Sequence, residues 1–191
     1  MIELTPELLV HAYRRGLFPM ADDDGTIGWY CPDPRAVFPL DAFHVPKNLA
    51  KTVRQGRFER RLDGDFEGVM RACADREETW ISEEIHAAYT ALHRMGLAHS
   101  VEAWRDGKLV GGLYGVALGG AFFGESMFSR ETDASKVCLV WLVERLRERG
   151  YTLLDSQYPT THLLQFGQTL IPRGEYLLQL QRALPLDCRF S

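Results

Sequence analysis

Two short stretches set polar side chains in otherwise apolar surroundings, and the chemistry is expected there. In residues 121–128, AFFGESMF, one carboxylate, Glu125, interrupts a run of strand-forming apolar residues. A carboxylate in such a setting needs a partner or is kept for a task. Side chains alternate across a strand, so Phe122, Gly124, Ser126 and Phe128 are expected on one face and Phe123, Glu125 and Met127 on the other. In residues 153–157, LLDSQ, Asp155 and Gln157 stand two positions apart and share a face of an extended segment. Other reactive residue types are dispersed. His86, His93 and His99 do not form a convergent metal pattern, and Cys31, Cys73, Cys138 and Cys188 include no CxxC pair. The run Asp22-Asp23-Asp24-Gly25 lacks a ligand-bearing loop pattern and reads as a solvated turn.

The elements that must hold these stretches follow from local signals. Gly119-Gly120 is a hairpin signal, as is Asp106-Gly107, so residues 99–104, 108–118 and 121–128 form an antiparallel meander. Thr132 or Asp133 caps a helix over 134–149 that ends at Gly150, with Leu139, Leu142, Val143 and Leu146 on its apolar face. Residues 151–155 are nearly all apolar and read as a central strand. Residues 159–166 read as a short helix, 168–171 as a strand and 173–183 as a last helix. Upstream, Thr5-Pro6 opens a helix closed by Gly16, with Leu8, Leu9, Ala12 and Tyr13 as its stripe. Residues 17–20 enter a turn, and WYCPDPR, 29–35, is a proline-fixed connector without regular structure. It either packs between elements or shows aromatic faces to a ligand. Pro46 starts a helix to Gln55 with Lys47, Lys51 and Arg54 on one side, a solvated face or a phosphate-contacting stripe. Asp63 or Asp65 caps a helix through residue 74, and Ser82 caps another to Met95 that buries Ile85, Ala88, Tyr89 and Leu92.

At 191 residues, 46% hydrophobic and 25% charged, the chain has the composition of one globular domain with at most a small appendage. No apolar run approaches the ~20 residues of a membrane span, and the acidic N-terminus does not read as a signal peptide. The scattered cysteines read as reduced thiols in a cytoplasmic protein. A net charge of −4 argues against an indiscriminate nucleic-acid coat but leaves room for a local basic patch. Helices followed by a meander, a helix and a strand indicate α+β with a mixed sheet.

Several stretches also resemble a known family. AYRRGLFPM, WYCPDPRAVFPL, ETWI, HSVEAW, LVGGLYGVALGGAFFGESMFSR, ASK, LLDSQ and IPR, running from about residue 12 to 173, are similar to the leucyl/phenylalanyl-tRNA–protein transferases, bacterial aminoacyltransferases. The resemblance implies an acyltransferase-like mixed-sheet domain related to N-acetyltransferases over residues 35–191, preceded by a small N-terminal domain over 1–34 that is short relative to many members. It implies transfer of Leu or Phe, less readily Met, from aminoacyl-tRNA to proteins beginning with Arg or Lys, which marks them for degradation. No cofactor, metal or membrane is implied.

On the family pattern Asp155 and Gln157 are catalytic, Asp155 orienting or polarising Gln157 while the Gln157 carbonyl aligns the incoming amine. Leu113, Phe122, Leu139, Leu142, Leu146 and Leu154 fall at pocket positions, and Glu125 lies beside them to hold cationic groups of the substrates. Trp104 matches an adenosine-stacking residue, with Tyr13 and Tyr114 as weaker candidates, and Lys47, Lys51 and Arg54 match a basic cluster for the tRNA stem. The chain departs from the pattern at Met20, where many members carry Trp in a stacking wall. It departs again at residues 162–168, HLLQFGQ, which could reshape the pocket rim. Two alternatives are a non-catalytic aminoacyl-tRNA-binding descendant and an acetyl-CoA-type N-acyltransferase. Against the second, the turn at residues 129–133 is acidic and lacks glycine, unsuited to cradling phosphate.

Overall fold

The computed structural model describes residues 4–22 and 24–191. Asp23 of the acidic turn and the first three residues, part of the N-terminus read as unlike a leader, lie outside them. Helix α1, Pro6–Tyr13, starts as expected, with the Thr5 hydroxyl accepting from the Leu8 N–H at 3.2 Å and Pro6 at the first position. Where a turn and an irregular connector were expected, β1 (Phe18–Ala21) and β2 (Ile27–Tyr30) pair antiparallel as a small separate sheet. Four-residue strands are too short to show a period, and Pro19 is tolerated at a sheet edge. The connector then yields a further unexpected strand, β3 (Arg35–Phe38), whose four residues are all buried.

The rest follows the sequence signals closely. Helix α2, Lys47–Arg54, leads to a short unexpected strand β4, Glu59–Leu62. Asp65 and Ser82 cap α3 (Phe66–Ala74) and α4 (Glu83–Arg94) through side-chain hydrogen bonds. The meander comprises β5 (Ala98–Arg105), β6 (Lys108–Leu118) and β7 (Ala121–Ser129). Helix α5, Ala134–Glu148, starts at Asp133, whose φ of +69° is left-handed and whose side chain gives no cap hydrogen bond. Strand β8 (Leu153–Gln157), α6 (Thr161–Leu164), β9 (Thr169–Ile171) and α7 (Arg173–Ala183) complete the chain.

Seven strands form one mixed sheet in the order β4-β5-β6-β7-β8-β3-β9, with β7 and β8 parallel and the other pairs antiparallel. Strand β8 is interior, as its apolar run implies. The sheet divides two cores. On one face α1, α3, α4 and α7 bury Leu9, Val69, Ile85 and Tyr176 against Tyr114, Val116 and Phe123. On the other, α5 buries Val137, Leu142 and Leu146 against Val101, Leu113 and Phe122. Phe122 and Phe128 lie in opposite cores, contrary to the even alternation expected along β7. Pairing with β6 passes from Gly115↔Gly124 to Tyr114↔Ser126, so Glu125 is an extra residue in a β-bulge that reverses the faces beyond it.

Candidate active site

Parallel pairing between β7 and β8 runs from Ala121↔Leu153 to Phe123↔Asp155 and stops there. Beyond that point β7 carries its bulge, and Gln157 ends β8 with φ of +58°. A left-handed conformation costs a non-glycine residue roughly 1–2 kcal/mol, so neighbouring contacts must hold it. Past the last pair, a cavity of about 420 Å³ lies among β6, β7, β8, α5 and α6. Leu113, Met127, Leu139, Leu142, Leu154 and Leu163 make its apolar wall, and Glu125 and Gln157 stand on its polar side. This is a volume and lining suited to a small apolar group with a polar attachment.

Glu125 is half-buried and lines this cavity. Its Oε1 accepts from the Tyr13 hydroxyl at 2.7 Å and from the Gln157 side-chain amide at 3.1 Å, and its Oε2 accepts from the Tyr89 hydroxyl at 3.4 Å. The two tyrosine hydroxyls also bond to each other. Removal from water pushes the carboxyl up to about 8, a change that the Tyr13 hydrogen bond opposes and the nearby Asp155 charge reinforces. Tyr114 also lines the cavity, and its buried hydroxyl has no hydrogen-bond partner among the described residues.

Asp155 is fully buried and ion-paired with Arg35, itself fully buried. Arg35 donates Nε to Oδ1 at 2.9 Å and Nη2 to Oδ2 at 2.7 Å, a bidentate fork. The Tyr176 hydroxyl donates to Oδ2 at 2.8 Å, and the Gln157 backbone N–H donates to Oδ1 at 2.9 Å. Asp155 therefore meets Gln157 through the backbone, while the side-chain amide is held by Glu125. Of the two expected actions of Asp155 on Gln157, orienting or polarising, the contact present is one that can orient it, made through the backbone N–H. Gln157 itself is buried, and with its NH2 end committed to Glu125 its carbonyl end is left for another partner.

Of the expected site residues, the cavity is lined by Leu113, Tyr114, Glu125, Leu139, Leu142, Leu154, Asp155 and Gln157. Phe122 and Leu146 are in the α5-side core and off the wall, because core and pocket positions share one apolar pattern. Tyr13 is fully buried and spent on Glu125, leaving no ring face for a base. Trp104 is off the wall too. Its indole N–H donates to Glu102 at 2.7 Å, and the Arg61 guanidinium lies 4.2 Å from its ring centroid. Met20 sits on β1 outside the lining, and Lys47, Lys51 and Arg54 are exposed on α2, also outside it. The structure adds Trp80, Arg76, Tyr158 and His162 to the lining, and Arg35, Tyr89 and Tyr176 as buried partners of the two carboxylates. Trp80, in the ETWI stretch, was visible as an aromatic residue, but sequence alone did not separate it from Trp104. Among the described residues no group of three His, Cys, Asp or Glu side chains is placed to hold a metal ion.

The family model for leucyl/phenylalanyl-tRNA protein transferase matches residues 37–181, and the model for that family's N-terminal domain matches residues 2–33. A leucyl/phenylalanyl-tRNA–protein transferase from Rubrobacter xylanophilus is 65% identical over 191 residues, covering all of both chains. One from Gloeobacter violaceus is 59% identical over all of this chain and 99% of its own. Among solved structures, L-PGS from Bacillus licheniformis superposes with a TM-score of 0.50 at 10% identity, over 80% of this chain and 65% of its own, a likeness of fold. The chain belongs to the leucyl/phenylalanyl-tRNA–protein transferase family and is an aminoacyltransferase.

Proposed function

We propose that the cavity receives the side chain of Leu or Phe, less readily Met, esterified to tRNA, and that the acceptors are proteins whose first residue is Arg or Lys, marked thereby for degradation. The observation that carries this reading is the apolar cavity ending on the paired Glu125 and Gln157. Leu113, Leu139, Leu142 and Leu154 measure the size of the side chain, and the lack of a charged group among them rejects polar ones. In the reaction the acceptor's neutral α-amine attacks the ester carbonyl, a nitrogen–carbon bond forms, and the carbon–oxygen bond to the ribose breaks. The amine loses one proton and the departing ribose oxygen gains one.

An α-amine titrates near about 7.7–8, so much of it is neutral at physiological pH and alignment is the main demand. Gln157, its NH2 end held by Glu125, presents its carbonyl as an acceptor for the attacking N–H. Glu125, with its carboxyl pushed up to about 8, is suited to exchange a proton with such an amine. Asp155 is a positioning residue. The terminal adenosine stacks on Trp80, an aromatic plate on the cavity wall beside Arg76, in place of Trp104. Lys47, Lys51 and Arg54 contact the tRNA backbone without reading its sequence.

The test combines purified protein, Leu-tRNA or Phe-tRNA, and a peptide beginning with Arg, followed by mass spectrometry. Addition of one Leu or Phe to the free peptide, and none to the same peptide with a blocked N-terminus, is expected. Binding of charged tRNA without any addition would point to a non-catalytic descendant.

A further inference from the structure

Arg35 is the largest fully buried side chain among the described residues, and it joins four separate parts of the chain. From β3 its Nη1 reaches the Gly16 carbonyl at 3.0 Å, after α1. Its plane lies against Phe18 of β1 and Tyr176 of α7, with the guanidinium carbon 4.8 and 4.4 Å from their ring centroids. Its fork holds both oxygens of Asp155 on β8. Burying this ion pair requires every donor and acceptor to be matched, and here nearly all are. The match also has a chemical consequence. Asp155 Oδ1, fixed by Arg35 Nε, is the atom that accepts the Gln157 N–H, and Gln157 is the residue with left-handed backbone.

We propose that Arg35, with Tyr176, is a positioning residue for the transfer reaction: by fixing Asp155 it holds the Gln157 backbone left-handed, which aims the Gln157 amide at Glu125 and into the cavity. The assignment rests on the role given to Gln157 above. Without the fork Asp155 is free to rotate, the Gln157 N–H loses its acceptor, and the residue relaxes to an extended φ that carries its amide off Glu125. A bidentate fork is what Lys cannot supply, although it preserves the charge.

The test uses Arg35→Lys and Tyr176→Phe, which keep respectively the charge and the ring over the guanidinium. Arg35→Lys is expected to lower kcat for transfer from Leu-tRNA to an Arg-initiated peptide by about 30-fold or more, with the KM for Leu-tRNA within about twofold. Tyr176→Phe is expected to give a smaller loss of about 3–10-fold. In a Gln157→Ala background both should cost less than about twofold, because residues acting through one group are not additive. A full additional loss in that background, or undiminished kcat in both single variants, overturns the proposal. Crystal structures of the same variants give a readout independent of turnover. Gln157 at negative φ and away from Glu125 is expected in Arg35→Lys, and an unmoved Gln157 overturns the clamp. Should Arg35→Lys fail to fold, Tyr176→Phe decides by the same two measurements. Wild-type protein without transfer would sink the function proposed above and leave the crystallographic answer standing.

Discussion

At the scale of residues, the candidate site is a pair of carboxylates in different surroundings. Asp155 is saturated by Arg35, Tyr176 and the Gln157 N–H, whereas Glu125 lines the cavity and carries a carboxyl pushed up to about 8. Gln157→Ala removes the carbonyl proposed to align the amine and is expected to lower kcat about 100-fold with little change in charged-tRNA binding, measurable by single turnover and by titration. Glu125→Gln should change the pH profile of kcat. The wild-type limb near pH 8 from this carboxyl disappears, while the limb from the acceptor amine stays. Stability follows with a defined sign. The unfolded carboxyl titrates near about 4.3, so between there and pH 8 the unfolded chain holds fewer protons and wild-type stability falls as pH rises. Urea midpoints for Glu125→Gln should be flatter across that window. Glu125 was legible because a lone carboxylate in AFFGESMF stands out. Arg35 was not, because an arginine between Pro34 and Ala36 looks like a loop charge until Asp155 is seen opposite.

At the scale of elements, two local irregularities make the cleft: the bulge in β7 and the left-handed end of β8. Gly115 is opposite the bulge, and a Cβ there would stand 2.2 Å from the Phe123 carbonyl oxygen and 2.5 Å from the Phe122 ring. Both atoms are held by the packed sheet. Gly115→Ala is therefore expected to cost about 1–3 kcal/mol and lower Tm by several degrees. Calorimetry and activity per folded molecule check this, with activity falling further than the unfolded fraction explains because Glu125 shifts with β7. The sequence made the meander, α4, α5 and α7 plain through turn residues, caps and periodicity. It could not show the bulge, since an inserted residue leaves the alternating letters unchanged and becomes visible only against the partner register. Strands β1 to β4 were missed for a related reason: four residues beside prolines or charges carry less than one reliable period.

At the scale of the molecule, α2 packs against α5 with Lys47, Lys51 and Arg54 exposed and outside the cavity lining, so the proposed tRNA contact and the proposed side-chain selection fall on different parts of the fold. Replacing all three with Ala is expected to raise the KM for Leu-tRNA about 10-fold or more at physiological salt and to flatten its salt dependence. Turnover with a short aminoacyl-adenosine donor should change by less than about twofold, and kinetics at two salt concentrations decide this. Core and pocket were one signal in the sequence, and only the parting of β7 and β8 separated Leu139 from Leu146. The strand order has a last consequence. Strand β3 lies between β8 and β9, which follow it by more than a hundred residues, and the Arg35–Asp155 pair spans 120 positions. During synthesis on the ribosome, β3 therefore emerges with both edges bare and waits for partners more than a hundred residues behind it. Such non-local closure is slow, and an unpaired apolar strand is a natural client for chaperones. A chain that has not yet delivered β8 and α6 cannot assemble the cleft, so a nascent transferase stays silent at least until they emerge.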